Sequence, residues 1–173
     1  MGEHDGVVEI IEHCVSEQQC DNIINQLKQL NPMYWTDRSL YSTNPGIDGS
    51  VGTYTSLNDA ICPPALLTEI NSVAPKITGH AAPMEIDETI VNHYSPGSYV
   101  PPHIDAVTFT FAVGMVMLES KEECFAYWPD SREETKVVVP DKKGTAIILH
   151  DVRTIHEVMP TVGDRYTLIY NYF

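Results

Sequence analysis

The sequence is short of positive charge, of clustered cysteine and of long apolar runs. Of its 173 residues, 10 are Lys or Arg and 24 are Asp or Glu, a formal net charge of −14. Phosphate backbones and anionic membranes are bound through clustered Lys and Arg that release counterions. Neither nucleic acid nor membrane is therefore an expected partner. The four cysteines, Cys14, Cys20, Cys62 and Cys124, show no C-x-x-C spacing. This excludes the disulfide framework of a small secreted domain, and they read as reduced, mostly buried core residues. No stretch approaches the roughly 18 apolar residues of a membrane span, and the first twenty residues lack a basic segment followed by an apolar one. An intracellular protein is the expectation.

What is present suits a globular chain: 43% hydrophobic and 20% charged residues, enough to bury a core and too apolar for a disordered acidic tail. The length fits one domain over residues 1–173, without internal repeats or an evident linker, and a monomer is expected.

Residues 1–83 read as helical and strand support, and residues 84–173 as a strand-rich core. Val7 to Val15 is a β-like run. Ser16-Glu17-Gln18-Gln19 then has the form of a capping box, with Cys20, Ile23, Ile24, Leu27 and Leu30 at helical spacing until Asn31-Pro32. Turn chemistry from Tyr41 to Ser50 precedes a short strand expected at Val51 to Thr55, and Pro63 to Val73 carries a second helix with proline in its first turn. From Met84 onward, Ile86 to Tyr94, Val107 to Leu118, Cys124 to Trp128, Lys136 to Val139, Thr145 to His150 and Arg165 to Phe173 are β-branched or aromatic runs separated by turns such as Asp130-Ser131. The pattern predicts a mainly β fold, a double-stranded β-helix of the jelly-roll, cupin-like type, with two helices buttressing one sheet.

Two segments could carry chemistry. His103 and Asp105 lie two apart where a strand is expected to begin, and residues at that spacing share a face of a strand. A third ligand from His156 would complete two histidines and one carboxylate, which leaves positions of an octahedral metal open and suits non-haem Fe(II). Arg165 follows a four-residue turn, on a strand expected to fold back beside the one bearing His156. A guanidinium there could grip the far carboxylate of a dicarboxylic cosubstrate. His93 and His150 read as core or edge residues, Trp35 and Trp128 as core, and Tyr166, Tyr170 and Tyr172 as sheet packing, while Arg153 is placed near the mouth of the site.

From Tyr94 to Phe173 the sequence resembles the Fe(II)- and 2-oxoglutarate-dependent dioxygenases. His156-Glu-Val-Met-Pro with Arg165-Tyr166, and Lys143-Gly-Thr-Ala-Ile-Ile-Leu-His-Asp-Val-Arg153 before it, are similar to the prolyl hydroxylase branch, particularly its oxygen-sensing type. The resemblance implies His103, Asp105 and His156 as iron ligands, and Arg165 and Tyr94 as contacts to 2-oxoglutarate. It further implies oxidative decarboxylation of 2-oxoglutarate to succinate and CO2, with O2 consumed, ascorbate as activator, and hydroxylation of a prolyl residue in a protein or peptide. Met117 stands where that branch carries a tyrosine, leaving Thr167 as a candidate second contact, and Asn171 replaces a tryptophan. The acidic balance suits a basic substrate, for example a ribosomal protein, and the Tyr41 to Val51 loop could be a lid over an extended peptide. Two alternatives stand beside this reading. Asn92-x-Tyr94-x-x-Gly97 resembles the AlkB-type nucleobase demethylases, although Asn171 occupies the place of that family's second arginine. A noncatalytic jelly-roll binding module would use His103 and Asp105 as an ordinary hydrogen-bonded pair.

Overall fold

The computed structural model describes residues 3–4, 8–41, 46–77, 85–105, 112–121, 123–129 and 135–173. Its strands are β1 (Glu3–His4), β2 (Val8–Ile11), β3 (Thr36–Asp37), β4 (Thr55–Asn58), β5 (Ile86–Tyr94), β6 (Val100–His103), β7 (Ala112–Glu119), β8 (Phe125–Trp128), β9 (Val137–Val138), β10 (Ala146–Leu149), β11 (Ile155–Val158) and β12 (Arg165–Tyr172). Its helices are α1 (Glu17–Gln29), α2 (Arg38–Tyr41) and α3 (Pro64–Val73). Two antiparallel sheets form, one of eight strands in the order β1-β2-β10-β7-β12-β5-β4-β3 and one of four in the order β6-β11-β8-β9. This is the mainly β jelly-roll that the strand pattern predicts.

Alternation along β12 separates two cores. Tyr166, Leu168, Tyr170 and Tyr172 are buried on one face with Ile23, Ile24 and Leu27 of α1 and Leu66, Ile70 and Val73 of α3, each large apolar side chain contributing about 1.5–3 kcal/mol on burial. Tyr170 also donates its hydroxyl to the Ile70 carbonyl at 2.6 Å, tying strand to helix. On the opposite face, Arg165, Thr167, Ile169 and Asn171 look toward the small sheet. There Met115, Met117, Phe125, Tyr127, Ile147 and Leu149 make the second core. The helix α1 begins as expected, with the Ser16 hydroxyl accepting from the Gln19 backbone N–H at 3.2 Å. The Gln19 side chain does not reach back; it donates to Ser72 Oγ at 3.1 Å and accepts from Lys76 at 2.7 Å, so only half of a capping box forms.

Some expectations change. The strand expected at Val51 to Thr55 runs instead over Thr55–Asn58, because pairing with β5 puts Leu57, 1% exposed, on the helix-side core. Residues 51–54 are drawn to Tyr99, whose carbonyl accepts from the Thr53 N–H at 2.9 Å. A Cβ on Gly52 would lie 2.7 Å from that same oxygen, which explains glycine there. Arg165 does not lie beside the His156 strand: β12 sits between β5 and β7 in the large sheet, whereas β11 belongs to the small one. The connection crosses between sheets because Thr161 is pinned to the Ser95–Ser98 turn, through Thr161 N–H to Ser98 O at 3.0 Å and Gly97 N–H to Thr161 O at 2.7 Å. The run expected from Val107 is described only from Ala112, and Val7, Met84, residues 42–45 of the candidate lid and the turn at Asp130-Ser131 lie outside the described residues.

Candidate functional site

The three candidate ligands meet through strand pairing. In the small sheet His103 of β6 is the Cα partner of His156 of β11, and their rings lie 4.3 Å apart. The dipeptide Pro101-Pro102 is tolerated because β6 is an edge strand, where a missing N–H breaks no ladder. His103 closes β6 and Asp105 lies just beyond it, so the pair does not share a strand face as the spacing suggested. From beyond the strand end, Asp105 Oδ1 still lies 3.3 Å from His103 Nε2 and 3.4 Å from His156 Nε2.

The orientation of both rings is set by backbone. His103 donates Nδ1–H to the Pro101 carbonyl and His156 donates Nδ1–H to the Thr154 carbonyl, each at 2.8 Å. A carbonyl can only accept, so Nδ1 carries a proton in each ring and Nε2 is the atom turned toward Asp105 and left to act as a ligand when unprotonated. Two imidazole lone pairs and a carboxylate then face one another, with ligand atoms all within 4.8 Å. Such a set is repulsive until a proton or a cation lies between its members, and its chemistry fits a divalent metal. Burial pushes the Asp105 carboxyl up, but His156 and His103 outweigh it and hold the group below the usual carboxylate range. For His156 burial acts downward, and the Asp105 carboxylate outweighs it to raise the imidazole.

Across the gap stands Arg165, 1% exposed, as the first residue of β12. Nε and Nη2 donate to the two oxygens of Asp141 at 2.8 and 3.2 Å, and Nη2 also reaches Met117 Sδ at 3.2 Å. Burial disfavours the guanidinium charge, and the Asp141 carboxylate outweighs it. Its carbon lies 5.0 Å from the centre of the Tyr94 ring, which stacks on Tyr54 at 5.5 Å. Burial raises the Tyr94 phenol, keeping it protonated. Thr167, on the same face two residues along, is 2% exposed, and its Oγ1 has no hydrogen-bond partner among the described residues. A buried hydroxyl left alone costs about 1–3 kcal/mol, so an orphan lining a cavity is a contact awaiting a ligand.

These groups share one cavity of about 140 Å³, lined by His103, Asp105 and His156 on one side and by Arg165, Tyr94 and Thr167 on the other. All five residues expected from the sequence are therefore brought together. Arg153 is not among the lining residues; its side chain is 82% exposed and pairs with Asp151 at 3.0 Å. His93 stacks on Tyr166 at 4.3 Å and pairs with Asp164, and His150 pairs with Glu9, so both are structural. Asp141 was missed, because within Pro140-Asp141-Lys142-Lys143-Gly144 it reads as turn chemistry and nothing local marks its burial. Glu88 and Ser56, which also line the cavity, gave no signal either.

No protein-family model and no curated protein matches the chain. Solved structures do. An oxidoreductase of the 2OG-Fe(II) oxygenase family from Burkholderia pseudomallei is 14% identical with a TM-score of 0.73, over 97% of this chain and 85% of that one. The viral collagen prolyl hydroxylase of Paramecium Bursaria Chlorella virus-1, in complex with 2OG, is 19% identical with a TM-score of 0.62, over 97% and 96%. A Trichoplax adhaerens prolyl hydroxylase, bound to a peptide fragment of the hypoxia inducible factor oxygen degradation domain, is 15% identical with a TM-score of 0.66, over 98% and 84%. At these identities the likeness defines the class of fold, the double-stranded β-helix on which those oxygenases are built.

Proposed function

We propose that the protein is an Fe(II)- and 2-oxoglutarate-dependent dioxygenase that hydroxylates a prolyl residue of a protein or peptide. The observation that carries the reading is the convergence of His103 Nε2, Asp105 Oδ1 and His156 Nε2 in a cavity whose facing wall bears Arg165 and the unpartnered Thr167 hydroxyl. In this reading His103 Nε2, Asp105 Oδ1 and His156 Nε2 are the atoms that would hold iron. When bound, iron supplies the oxidising chemistry, coupling 2-oxoglutarate decarboxylation to hydroxylation.

The chain's own residues position the reactants. The Nη1 end of Arg165, which is not used in the bonds to Asp141, takes the distal carboxylate of 2-oxoglutarate, and Asp141 holds the guanidinium plane in place. Thr167 Oγ1 donates to the same carboxylate, supplying the contact that Met117 cannot. Tyr94 packs beneath, and the apolar side chains of Val113, Met115, Phe125 and Val158 exclude water. The peptide assignment is supported by the structural likeness to two prolyl hydroxylases, one with a peptide bound. The turn Gly46–Ser50 lies against the metal-bearing edge, with Ile47 N–H donating to the Pro102 carbonyl at 2.9 Å, where it could meet an extended chain.

Turnover with Fe(II), 2-oxoglutarate and ascorbate, following succinate, tests the chemistry. Proline-containing proteins that gain one oxygen by mass test the substrate. Succinate formation lost in His103→Ala and Arg165→Met is the expected result. No consumption of 2-oxoglutarate with any candidate substrate would overturn the proposal.

A further inference from the structure

Antiparallel registry arranges the cavity wall in rows. Arg165 pairs with Tyr94, Thr167 with Asn92, which pairs in turn with Ser56, Ile169 with Ile90, and Asn171 with Glu88. At about 3.4 Å per residue the last row lies roughly 20 Å of strand from the first. The first two rows bear the groups assigned to 2-oxoglutarate, the third is apolar, and the fourth ends the cavity with a carboxylate.

Glu88 is held by two neutral donors. Asn58 Nδ2 donates to Oε1 at 2.6 Å and Asn171 Nδ2 to Oε2 at 3.2 Å, and Asn171 is itself buried at 8% exposure. Two carboxamides orient a carboxylate without neutralising it. Of the two arginines on the cavity wall, Arg165 pairs with Asp141, and Arg38 donates from Nε to Ser56 Oγ in the second row. The half-buried Glu88 carboxylate thus lines the cavity in the row of the sheet farthest from the one that bears Arg165. Such a group pairs favourably with an ammonium or guanidinium that brings its own counter-charge into the cavity.

We infer that Glu88, presented by Asn58 and Asn171, is the specificity carboxylate of the substrate subsite, and that the substrate carries a Lys, Arg or other amine beside the oxidised residue. The inference rests on the dioxygenase reading and adds the substrate class. The net charge of −14 acts in the same direction over longer range, since it draws cationic partners toward the chain.

The test uses the full chain loaded with Mn(II) and 2-oxoglutarate, and fluorescently labelled prolyl peptides in matched pairs, Lys or norleucine beside the proline. Fluorescence anisotropy is expected to show Lys peptides binding about tenfold tighter than their norleucine twins, a ratio typical of one partly desolvated charge pair. Glu88→Gln should erase that ratio and Glu88→Lys should reverse it in favour of Glu-bearing peptides. Equal binding of both twins by the native protein, a ratio that survives Glu88→Gln, or no binding of any cationic peptide would overturn the subsite. If the protein still consumes 2-oxoglutarate in an Arg165-dependent manner, that failure belongs to the subsite alone; if it does not, the dioxygenase reading has failed first.

Discussion

Replacing Asp141 by Asn takes the counter-charge from a guanidinium that is almost wholly buried. The side chains of Arg165 and Asp141 are 2% and 0% exposed, so bulk water compensates little for the lost partner. Removing one member of a buried pair costs about 3–5 kcal/mol, because the remaining charge is left uncompensated. Asn keeps one acceptor for Nε or Nη2, which places the expected cost near about 3 kcal/mol. For a chain of this size each kcal/mol moves the melting temperature by about 2–4 °C, so a drop of about 6–12 °C is expected by circular dichroism. The double variant Asp141→Leu with Arg165→Met removes both charges and should recover most of the loss, since apolar replacement of a buried pair is often neutral. A dicarboxylate seated on Arg165 would replace the missing charge, so 2-oxoglutarate should raise the melting temperature of Asp141→Asn more than that of the native protein. The reasoning fails if Asp141→Asn melts within about 1 °C of native, or if the double variant is no more stable than the single one.

Three other outcomes follow from the same structure. Thr167→Val removes an orphan hydroxyl at nearly constant volume, so stability should hold or rise slightly in a urea titration while 2-oxoglutarate affinity falls roughly fivefold; a loss of stability without a loss of affinity contradicts the assigned contact. Gly144 has φ of +84° and a Cβ there would collide with the Val15 carbonyl, so Gly144→Ala should cost more than about 2 kcal/mol and loosen the α1 approach, read as a shifted urea midpoint. Because Asp105 raises His156 above its ordinary value, the His156–Asp105 pair stabilises the metal-free protein fully below about pH 6.5 and loses that contribution as pH rises through the raised value. Metal competes with the same proton, so Mn(II) affinity should climb with pH across that window with proton release, and affinity that stays flat between about pH 5 and 8 on titration would contradict the ligand assignment.

Periodicity and turn chemistry carried far into this fold. The Cys20-Ile23-Ile24-Leu27 stripe, the Pro-started second helix and the β-branched runs around Ile90, Ile147 and Leu168 each respond to local rules, and they formed where those rules place them. The candidate metal ligands were readable because two histidines and an aspartate combine with a later arginine in an unusual order. What escaped depends on contacts between distant segments. Asp141 is a turn residue until Arg165 arrives from 24 positions away. Glu88 alternates like any exposed strand acid until Asn171, 83 residues later, closes over it. The convergence of His103 with Asp105 is made beyond the end of β6 and not on a shared strand face, since the edge strand ends at the histidine. Arg165 likewise faces the ligands across the barrel because Thr161 is pinned to the Ser95–Ser98 turn, a bond between segments that no local pattern announces.

Titration of 2-oxoglutarate into the Mn(II)-loaded protein by calorimetry, native against Arg165→Met, bears on the central claim most directly. One cosubstrate per chain should bind the native protein, and affinity should fall about a hundredfold or more in the variant, as expected for losing a buried charge-assisted grip. Absence of binding to the native protein, or equal affinity in Arg165→Met, would contradict the account.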